Sequence, residues 1–260
     1  MNQSSDRVTY TVTDRVAVIS MQRAPVNAVD FDMTSAIHDG MRRADADKDV
    51  GAIILRSGLD NMYCGGMDLK MIKGAGTDGM RRFLNHFYLD TLDVQAKLTK
   101  PTIAAINGPA RGAGMTLSIT CDMLIASESA SFGYPEINVG VLPAIHFAHL
   151  PQVIGRHRAF ELLFSGRSFG PDEARELGLI SEIVADDSLM DRAMELGCMF
   201  AAKSPATMRI GRQAFWRAQD LDYRRSVAAQ VEVMCNLAEM PDHIEGLTAF
   251  AEKRDPKWQD

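Results

Sequence analysis

A single carboxylate stands in the proline-bearing segment Phe132–Pro143, whose other side chains are uncharged at neutral pH. That carboxylate belongs to Glu136, and most of its neighbours are apolar. If the segment is buried, its surroundings raise the pKa of Glu136, because a medium of low polarity disfavours the ionised form. A carboxyl group that ionises near neutral pH can take a proton and return it. The segment makes Glu136 a candidate general acid/base, against the alternative of an exposed loop glutamate.

Two glycine-bearing segments can supply backbone donors for a negative charge. Tyr63–Lys70 follows a predicted strand that ends near Ser57, and Asn107–Gly114 follows the predicted strand Thr102–Ile106. Each segment leads into a predicted helix, whose first N–H groups have no partner within the helix. Such groups can hold an oxyanion. Taken alone, each segment is also explained as a tight packing turn.

Residue spacing disfavours two other common kinds of site. The pair Gly112 and Gly114 lacks the third glycine of a dinucleotide-binding fingerprint, because Leu117 stands at that place. His146 and His149 have no third histidine or acidic ligand close by in sequence, so no metal is predicted. The cysteines are widely spaced, which is typical of reduced thiols.

The elements that must position these segments follow from the hydrophobic patterns. Alternating apolar residues predict an opening hairpin, and short apolar runs between helical stretches predict buried strands. The predicted strands are Val8–Thr13, Val16–Met21, Ala52–Leu55, Thr102–Ile106, Met123–Ala126 and Ile180–Val184. Helical spacing covers Phe31–Ala46, Met80–Leu98, Met115–Ile119, Ser188–Lys203, Pro205–Gln219 and Tyr223–Glu239. This alternation predicts an α/β core that holds the site, residues 1–200, and a helical C-terminal region, residues 201–260.

Composition bounds the class of protein. With 260 residues and 46% hydrophobic content, the chain can bury one large core. Its formal net charge of -6 disfavours nucleic-acid binding, which needs a concentrated basic surface. No apolar run approaches the length of a membrane span or of a signal-peptide core. A cytoplasmic location without membrane contact is therefore expected.

The three loop segments, in this order, resemble those of the enoyl-CoA hydratase/isomerase (crotonase) family. Two further stretches extend the resemblance nearly from end to end, Arg23-Ala-Pro-Val-Asn27-Ala28 and Phe250-Ala-Glu-Lys253-Arg254 with Pro256. The resemblance implies an α/β fold of the crotonase type, a spiral of ββα units with a C-terminal helical trimerisation region. It also implies an acyl-CoA substrate, no cofactor beyond the coenzyme A moiety of that substrate, and a homotrimer or a homohexamer built as a dimer of trimers.

The resemblance also assigns roles to single residues. The backbone N–H groups of Met67 and Ala113 are expected to hold the thioester oxygen as it gains negative charge, and Glu136 is expected to exchange a proton. Ala113 stands where a glycine is common, so a positive φ there would be strained. Thr116 stands where two-carboxylate hydratases have a second glutamate, and its hydroxyl is expected to hold a water or a substrate group. Contacts to coenzyme A are expected from Arg23, Ala28, Asp68, Leu69, Lys70, Phe250 and Lys253.

The reaction that the resemblance implies depends on the number of carboxylates. One carboxylate fits the movement of a double bond naturally, since one base takes a proton and returns it. However, the stretch Glu136-Ile-Asn138-x-Gly140, followed by Gly155-Arg-His157-Arg, resembles hydratases of the feruloyl-CoA type, which also carry a hydroxyl at the position of Thr116. The prediction is therefore an enoyl-CoA hydratase. The alternatives are a double-bond isomerase and, in another class, a catalytically weak CoA-ester-binding subunit.

The stretch Pro143–Phe147 departs from the family's pattern, because many relatives have a glycine-rich turn there. The bulkier residues are expected to reshape the acyl pocket. His146 lies in this stretch, and we expect a structural role for it, since a lone histidine near an apolar helix start is usually structural. A proton or a hydrogen bond given by His146 is the alternative.

Overall fold

Two β-sheets form the framework of the protein in the computed structural model, which describes residues 7–257 without the side chains of residues 206, 217–223, 226, 229, 230, 233, 234 and 237. The strands are β1 Val8–Thr13, β2 Val16–Met21, β3 Ala52–Ser57, β4 Thr102–Ile106, β5 Pro109–Arg111, β6 Met123–Ser127, β7 Ser131–Gly133, β8 Ser168–Phe169 and β9 Glu182–Val184. The larger sheet has the order β1-β2-β3-β4-β6-β9, and the smaller sheet has the order β5-β7-β8.

The larger sheet begins with an antiparallel hairpin and continues as a parallel sheet. β1 pairs with β2 through a turn in which Asp14 and Arg15 have φ of 48° and 65°. From β2 onward each neighbouring pair is parallel. Strands of a parallel sheet are covered on both faces, which favours continuous apolar runs. β4 is accordingly buried along its whole length.

Helices surround these sheets and are separated by short connections. The α-helices are α1 Phe31–Ala46, α2 Leu69–Ile72, α3 Gly76–Leu84, α4 Asp90–Lys97, α5 Ala113–Ile119, α6 Ala144–Ile154, α7 Arg156–Ser165, α8 Pro171–Glu176, α9 Leu189–Ala201, α10 Pro205–Leu237 and α11 Pro241–Glu252. A π-helical turn at Asn85–Leu89 joins α3 to α4, and 3₁₀ turns lie at Pro135–Val139 and Asp186–Ser188.

The chain advances in units of two strands and a helix that step from one sheet to the other. β4 lies in the larger sheet, β5 follows it in the smaller sheet, and α5 completes the unit. β6, β7 and the segment from Pro135–Val139 into α6 repeat this order. Because β5 and β7 pair in parallel, the loops that follow these two strands leave the smaller sheet at the same edge.

The C-terminal helices pack back on the core. α10 contacts α3 and α6, and α11 contacts the turn Pro135–Val139. His243 of α11 lies 3.0 Å from the carbonyl oxygen of Gly140 through its ring Nδ1. A Cβ on Gly246 of the same helix would overlap the carbonyl group of Val139. The end of the chain thus rests directly on the segment that carries Glu136.

Most of the predicted elements are confirmed, and two predictions are wrong. Pro205–Gln219 and Tyr223–Glu239 were expected as two helices, yet they form the single helix α10, since no proline or glycine between them ends it. Asn107–Gly114 was expected as a loop, yet its middle forms β5 by pairing with β7. The predicted division at residues 200 and 201 stays a prediction.

Two structural features are absent from residues 7–257. None of the helices there is long and apolar enough to cross a membrane. In the same range, no group of three or more histidine, cysteine, aspartate or glutamate side chains is arranged to hold a metal ion.

Candidate active site

Two backbone N–H groups, those of Met67 and Ala113, emerge from adjacent loops. Each follows a glycine with positive φ, 113° at Gly66 and 47° at Gly112, a conformation that other residues rarely adopt. The loops touch here, since a Cβ on Gly66 would lie 3.5 Å from the carbonyl oxygen of Arg111. Among the hydrogen bonds within residues 7–257, none uses the N–H of Met67 or of Ala113. Both groups are therefore available to an oxyanion.

The direction of the Met67 N–H follows from its neighbours. Val29 donates to the Gly66 carbonyl at 2.8 Å and accepts from the Asp68 N–H at 2.9 Å. Val29 thus pairs with the residues on either side of Met67, as in a parallel bridge. The N–H of Met67 itself points away from Val29, on the opposite side of the chain.

The backbone at Ala113 is unstrained. The sequence predicts strain if Ala113 has a positive φ, because a glycine is common at this position. In the structure the positive φ falls on Gly112, and Ala113 is the first residue of α5. The strain foreseen for Ala113 does not arise, and its N–H is one of those that the start of a helix leaves without a partner.

Glu136 lies in the 3₁₀ turn Pro135–Val139, with its carboxylate against the backbone of Gly112. A Cβ on Gly112 would lie 2.6 Å from Glu136 Oε1, so only a glycine leaves room for the carboxylate. Glu136 as a whole residue is half-buried, but its carboxylate atom Oε2 is fully buried and has no hydrogen-bond partner within residues 7–257. Burial raises the pKa of Glu136 to about 7, against a smaller lowering effect from its own backbone N–H. This agrees with the raised pKa expected for a buried carboxylate.

Thr116 and His146 form a buried pair beside Gly112. Thr116 Oγ1 lies 3.2 Å from His146 Nε2 and 3.5 Å from the Gly112 carbonyl oxygen. The ring of His146 meets the ring of Tyr134 edge to face, with centroids 4.5 Å apart. Burial, with a smaller effect of His149, lowers the pKa of His146 well below its ordinary value, although the Gly112 backbone opposes this. The imidazole is therefore neutral at physiological pH.

Three buried polar atoms of Glu136, Tyr134 and His146 have no hydrogen-bond partner within residues 7–257. They are Glu136 Oε2, the hydroxyl of Tyr134 and Nδ1 of His146. A buried polar group without a partner is costly, and it is rare outside functional sites. Glu136 is close enough to Tyr134 and Tyr88 to add to the rise of their pKa values, which burial mainly causes. These unpaired polar atoms therefore mark the surroundings of Glu136 as a candidate site.

Five of the residues expected to contact coenzyme A lie together at the first loop. The Arg23 guanidinium donates to the Ala28 carbonyl and, at 2.6 Å, to Asp68 Oδ2. Asp68 caps α2 by accepting from the Lys70 N–H at 3.1 Å, and Leu69 begins that helix. Burial opposes the shift, but these hydrogen bonds outweigh it and hold the pKa of Asp68 below its ordinary value. Arg23 is therefore paired already, while the exposed Lys70 enters no salt bridge within residues 7–257.

Phe250 and Lys253 lie at the end of α11. Phe250 is 58% exposed. Lys253 ends the helix with a φ of 54°, and its N–H bonds back to the Phe250 carbonyl at 3.2 Å. Within residues 7–257 no hydrogen bond or ion pair joins these two residues to Arg23 or Lys70. Their expected contact with coenzyme A stays a prediction.

The sequence patterns did not single out Tyr134 or His243, and for His146 they favoured a structural role over the contribution of a proton or a hydrogen bond. Tyr134 stands two residues before Glu136, so it lies in the same segment whose pattern marks Glu136. His243 reaches Gly140 from α11, a contact for which the sequence offers no local pattern. Cys64, which lies in the first loop, is a buried structural thiol, since burial raises its pKa to about 12.

A second cluster has the order of a serine–histidine–aspartate triad, but it lacks other parts of a nucleophilic site. Ser35 Oγ lies 3.0 Å from His86 Nε2, and His86 Nδ1 lies 2.9 Å from Asp90 Oδ2. Ser35 is inside α1, where the backbone N–H groups bond to the helix's own carbonyls and cannot hold an oxyanion. The Asp90 side chain is 55% exposed. This cluster is better explained as a surface hydrogen-bond network.

Comparisons with known proteins agree with this geometry. The sequence model for enoyl-CoA hydratase/isomerase matches residues 11–260. A probable enoyl-CoA hydratase of Rhizobium meliloti is 32% identical over 247 residues, which cover 94% of this chain and 95% of that protein. A probable mitochondrial enoyl-CoA hydratase of Dictyostelium discoideum is also 32% identical over 247 residues, covering 94% and 87%.

Solved structures give the same result for the fold. The crystal structure of an enoyl-CoA hydratase/isomerase from Xanthobacter autotrophicus matches with a TM-score of 0.86 and 27% identity. The match covers 96% of this chain and 94% of that chain. The fold predicted from the loop segments is confirmed.

Proposed function

The chain belongs to the enoyl-CoA hydratase/isomerase family, and we propose that it catalyses the reversible addition of water to a 2-enoyl-CoA. The observation that carries this proposal is the meeting of three kinds of group around Gly112. The N–H of Ala113 is open, the Glu136 carboxylate lies against the Gly112 backbone, and the Thr116 hydroxyl lies beside its carbonyl. They match the three needs of hydration, which are to hold a negative charge, to move a proton and to hold a water.

Addition begins with the thioester oxygen between the N–H groups of Met67 and Ala113. The oxygen of water bonds to C3, and the electrons of the C2–C3 double bond move onto the thioester oxygen. One proton of the water passes to the Glu136 carboxylate in the same step. The two N–H groups stabilise the oxyanion that forms, and one such donor typically lowers the barrier by about 3–4 kcal/mol.

The second step returns the proton. The enolate re-forms its carbonyl, and C2 takes the proton from Glu136, whose carboxylate is thereby restored. A group that must accept and then give a proton works best when its pKa lies near the working pH. A pKa of about 7 for Glu136 supports both halves of this cycle. The reverse reaction uses the same carboxylate to remove the C2 proton.

Two other functions remain as alternatives. A double-bond isomerase would need Glu136 and the two N–H groups but no water, and the presence of a single carboxylate supports it. The buried polar atoms of Thr116 and His146 support hydration instead, since movement of a double bond gives them no task. A CoA-ester-binding subunit without turnover would not need a carboxyl group that ionises near neutral pH, so the raised pKa of Glu136 counts against it.

Further parts of the proposal concern binding and assembly. The coenzyme A phosphates need local cations in a chain with a net charge of -6, and Lys70 and Lys253 are the proposed ones. Arg23 is proposed to order the first loop through Asp68. The enzyme is proposed to work as a homotrimer or a dimer of trimers in the cytoplasm, with no cofactor beyond the coenzyme A moiety.

The test follows mass and double-bond position together. The protein and the variant Glu136→Gln are incubated in deuterium oxide with a panel of 2-enoyl-CoA and 3-enoyl-CoA esters, and the products are analysed by mass spectrometry. Hydration predicts the gain of one deuterated water that depends on Glu136. Migration of the double bond without this gain would instead establish an isomerase, and unchanged esters would leave the binding role.

A further inference from the structure

The Thr116–His146 pair is buried and neutral, and it lies beside the backbone of Gly112. Both side chains are 1% exposed. Gly112 links the pair to Glu136, since its carbonyl lies 3.5 Å from Thr116 Oγ1 while its Cα faces Glu136 Oε1. Tyr134 packs against His146 from the segment that carries Glu136. The pair and the carboxylate thus both contact the backbone of Gly112.

The chemistry of a hydroxyl decides what this pair can do. Thr116 has one proton to donate and two lone pairs with which to accept. In one tautomer of His146 the hydroxyl donates to Nε2, and in the other it accepts from Nε2–H and can donate to the Gly112 carbonyl. Both arrangements leave a lone pair of Oγ1 free for a water. In each tautomer the hydroxyl has a single orientation, because the His146 ring is itself packed edge to face against Tyr134.

Resting on the proposed hydration, we propose that His146 is a positioning residue that orients the Thr116 hydroxyl to hold the reacting water against Glu136. The water donates one hydrogen bond to Thr116 Oγ1 and the other to the Glu136 carboxylate, which leaves a lone pair to attack C3. When the O–C3 bond forms, the proton on the Glu136 side moves to the carboxylate. The proton on the Thr116 side stays on the new hydroxyl group. His146 and Thr116 change neither charge nor proton count.

This role can be separated from a merely structural one by two reactions of the same site. Hydration of a 2-enoyl-CoA needs the held water. Exchange of a C2 proton of a saturated acyl-CoA in deuterium oxide needs only Glu136 and the two N–H groups, since no water attacks carbon. A residue that positions the water affects the first reaction and spares the second.

The variant His146→Phe keeps a ring against Tyr134 and removes Nε2. We expect it to slow hydration roughly 10- to 100-fold, the usual effect of a misplaced reactant, while C2 exchange stays close to the wild-type rate. Thr116→Val should have a similar effect, and the double variant should be no slower than either single one, because the two residues act as one unit.

Matched variants guard against misfolding. His146→Gln places an amide near the position of Nε2 and should restore most of the hydration rate, whereas His146→Asn places its amide near Nδ1 and should not. His149→Phe alters the next histidine of α6, three residues on, and should affect hydration much less. Thermal unfolding of each variant checks the fold, and the Gln and Asn pair keeps the test decisive if the Phe variant does not fold.

Each outcome decides one question. Equal losses of hydration and exchange in His146→Phe would show a structural role, and no loss in either would show that His146 has no part. Either result overturns the inference and leaves the hydratase intact. A wild-type protein that exchanges C2 protons but adds no water to any 2-enoyl-CoA would overturn the proposed function and the role of His146 with it.

Discussion

Replacing Glu136 by glutamine is expected to stabilise the protein much more at pH 8 than at pH 4.5, while it abolishes hydration. The reason is the burial of the carboxylate, whose Oε2 has no hydrogen-bond partner. A buried carboxylate loses its hydration shell, and the fold compensates little of that loss. Glutamine keeps the shape of the side chain without a charge.

The size of the effect follows from the two pKa values. The carboxyl has its ordinary pKa of 4.5 in the unfolded chain and a pKa of about 7 in the fold. That difference corresponds to about 3 kcal/mol in the free energy of unfolding. Since the folded pKa is the raised one, the stability is fully present below pH 4.5 and is lost as the pH rises through 7. Glu136→Gln does not suffer this loss, so its advantage over wild type should be about 3 kcal/mol greater at pH 8 than at pH 4.5.

Urea unfolding of both proteins at the two pH values measures this difference. Glu161→Gln is the control with a pKa shift of opposite sign, because a hydrogen bond from Arg167 lowers the pKa of that exposed carboxyl. It should destabilise the protein by nearly the same amount at pH 8 and at pH 4.5, because the stability that comes from a lowered pKa is lost only as the pH falls through that folded pKa, below 4.5. Activity adds an independent reading, since kcat/KM for hydration should rise with pH and level off above about pH 7.

Two results would refute this reasoning. A stability difference between Glu136→Gln and wild type that is the same at both pH values would mean that Glu136 ionises alike in the folded and unfolded chains. A kcat/KM profile with its midpoint near pH 4.5 would mean that the working carboxylate is well solvated. In either case burial would not explain the proton transfer.

Two further predictions concern the C-terminal helix. Gly246→Ala should lower the free energy of unfolding by about 1–3 kcal/mol and reduce kcat, because the added methyl overlaps the Val139 carbonyl and displaces the turn that carries Glu136. Gly211→Ala, at an open position of α10, is the control. An unchanged kcat in Gly246→Ala would contradict the proposed coupling between α11 and Glu136. Lys253→Ala should weaken binding of a CoA ester up to about 5-fold, because an exposed ion pair contributes at most about 1 kcal/mol, with a smaller effect on kcat. Calorimetry with an unreactive acyl-CoA measures this affinity, and an unchanged affinity would remove Lys253 from the site.

The sequence predicts the three loops well because each carries its own local signal. Gly66 and Gly112 mark the positive φ that turns an N–H outward, and Glu136 is marked by its apolar surroundings. The strands before these loops are short apolar runs, which predict burial. Local patterns therefore suffice for the parts of the site, and the order of the motifs suffices for the family.

The tertiary contacts that bring these loops and helices together are harder to predict. The contact of Gly112 with Glu136 depends on the pairing of β5 with β7, strands of three residues each that leave almost no periodic signal. The hydrogen bond between Thr116 and His146 joins α5 to α6 across thirty residues. The contact of α11 with the turn at Val139 needs the whole of α10 to be placed first. Each of these contacts is a consequence of tertiary packing, about which secondary-structure propensity carries no information.

A neutral second group has an electrostatic consequence for the first. Two carboxylates that share a site raise each other's pKa, so their protonation states are linked. Here Thr116 and a neutral His146 take the second place, and the raised pKa of Glu136 comes from burial alone. The charge of Glu136 can then change without a response from its partner. The site is therefore expected to titrate as a single carboxyl group. The pH dependence of turnover then reports the pKa of Glu136 directly.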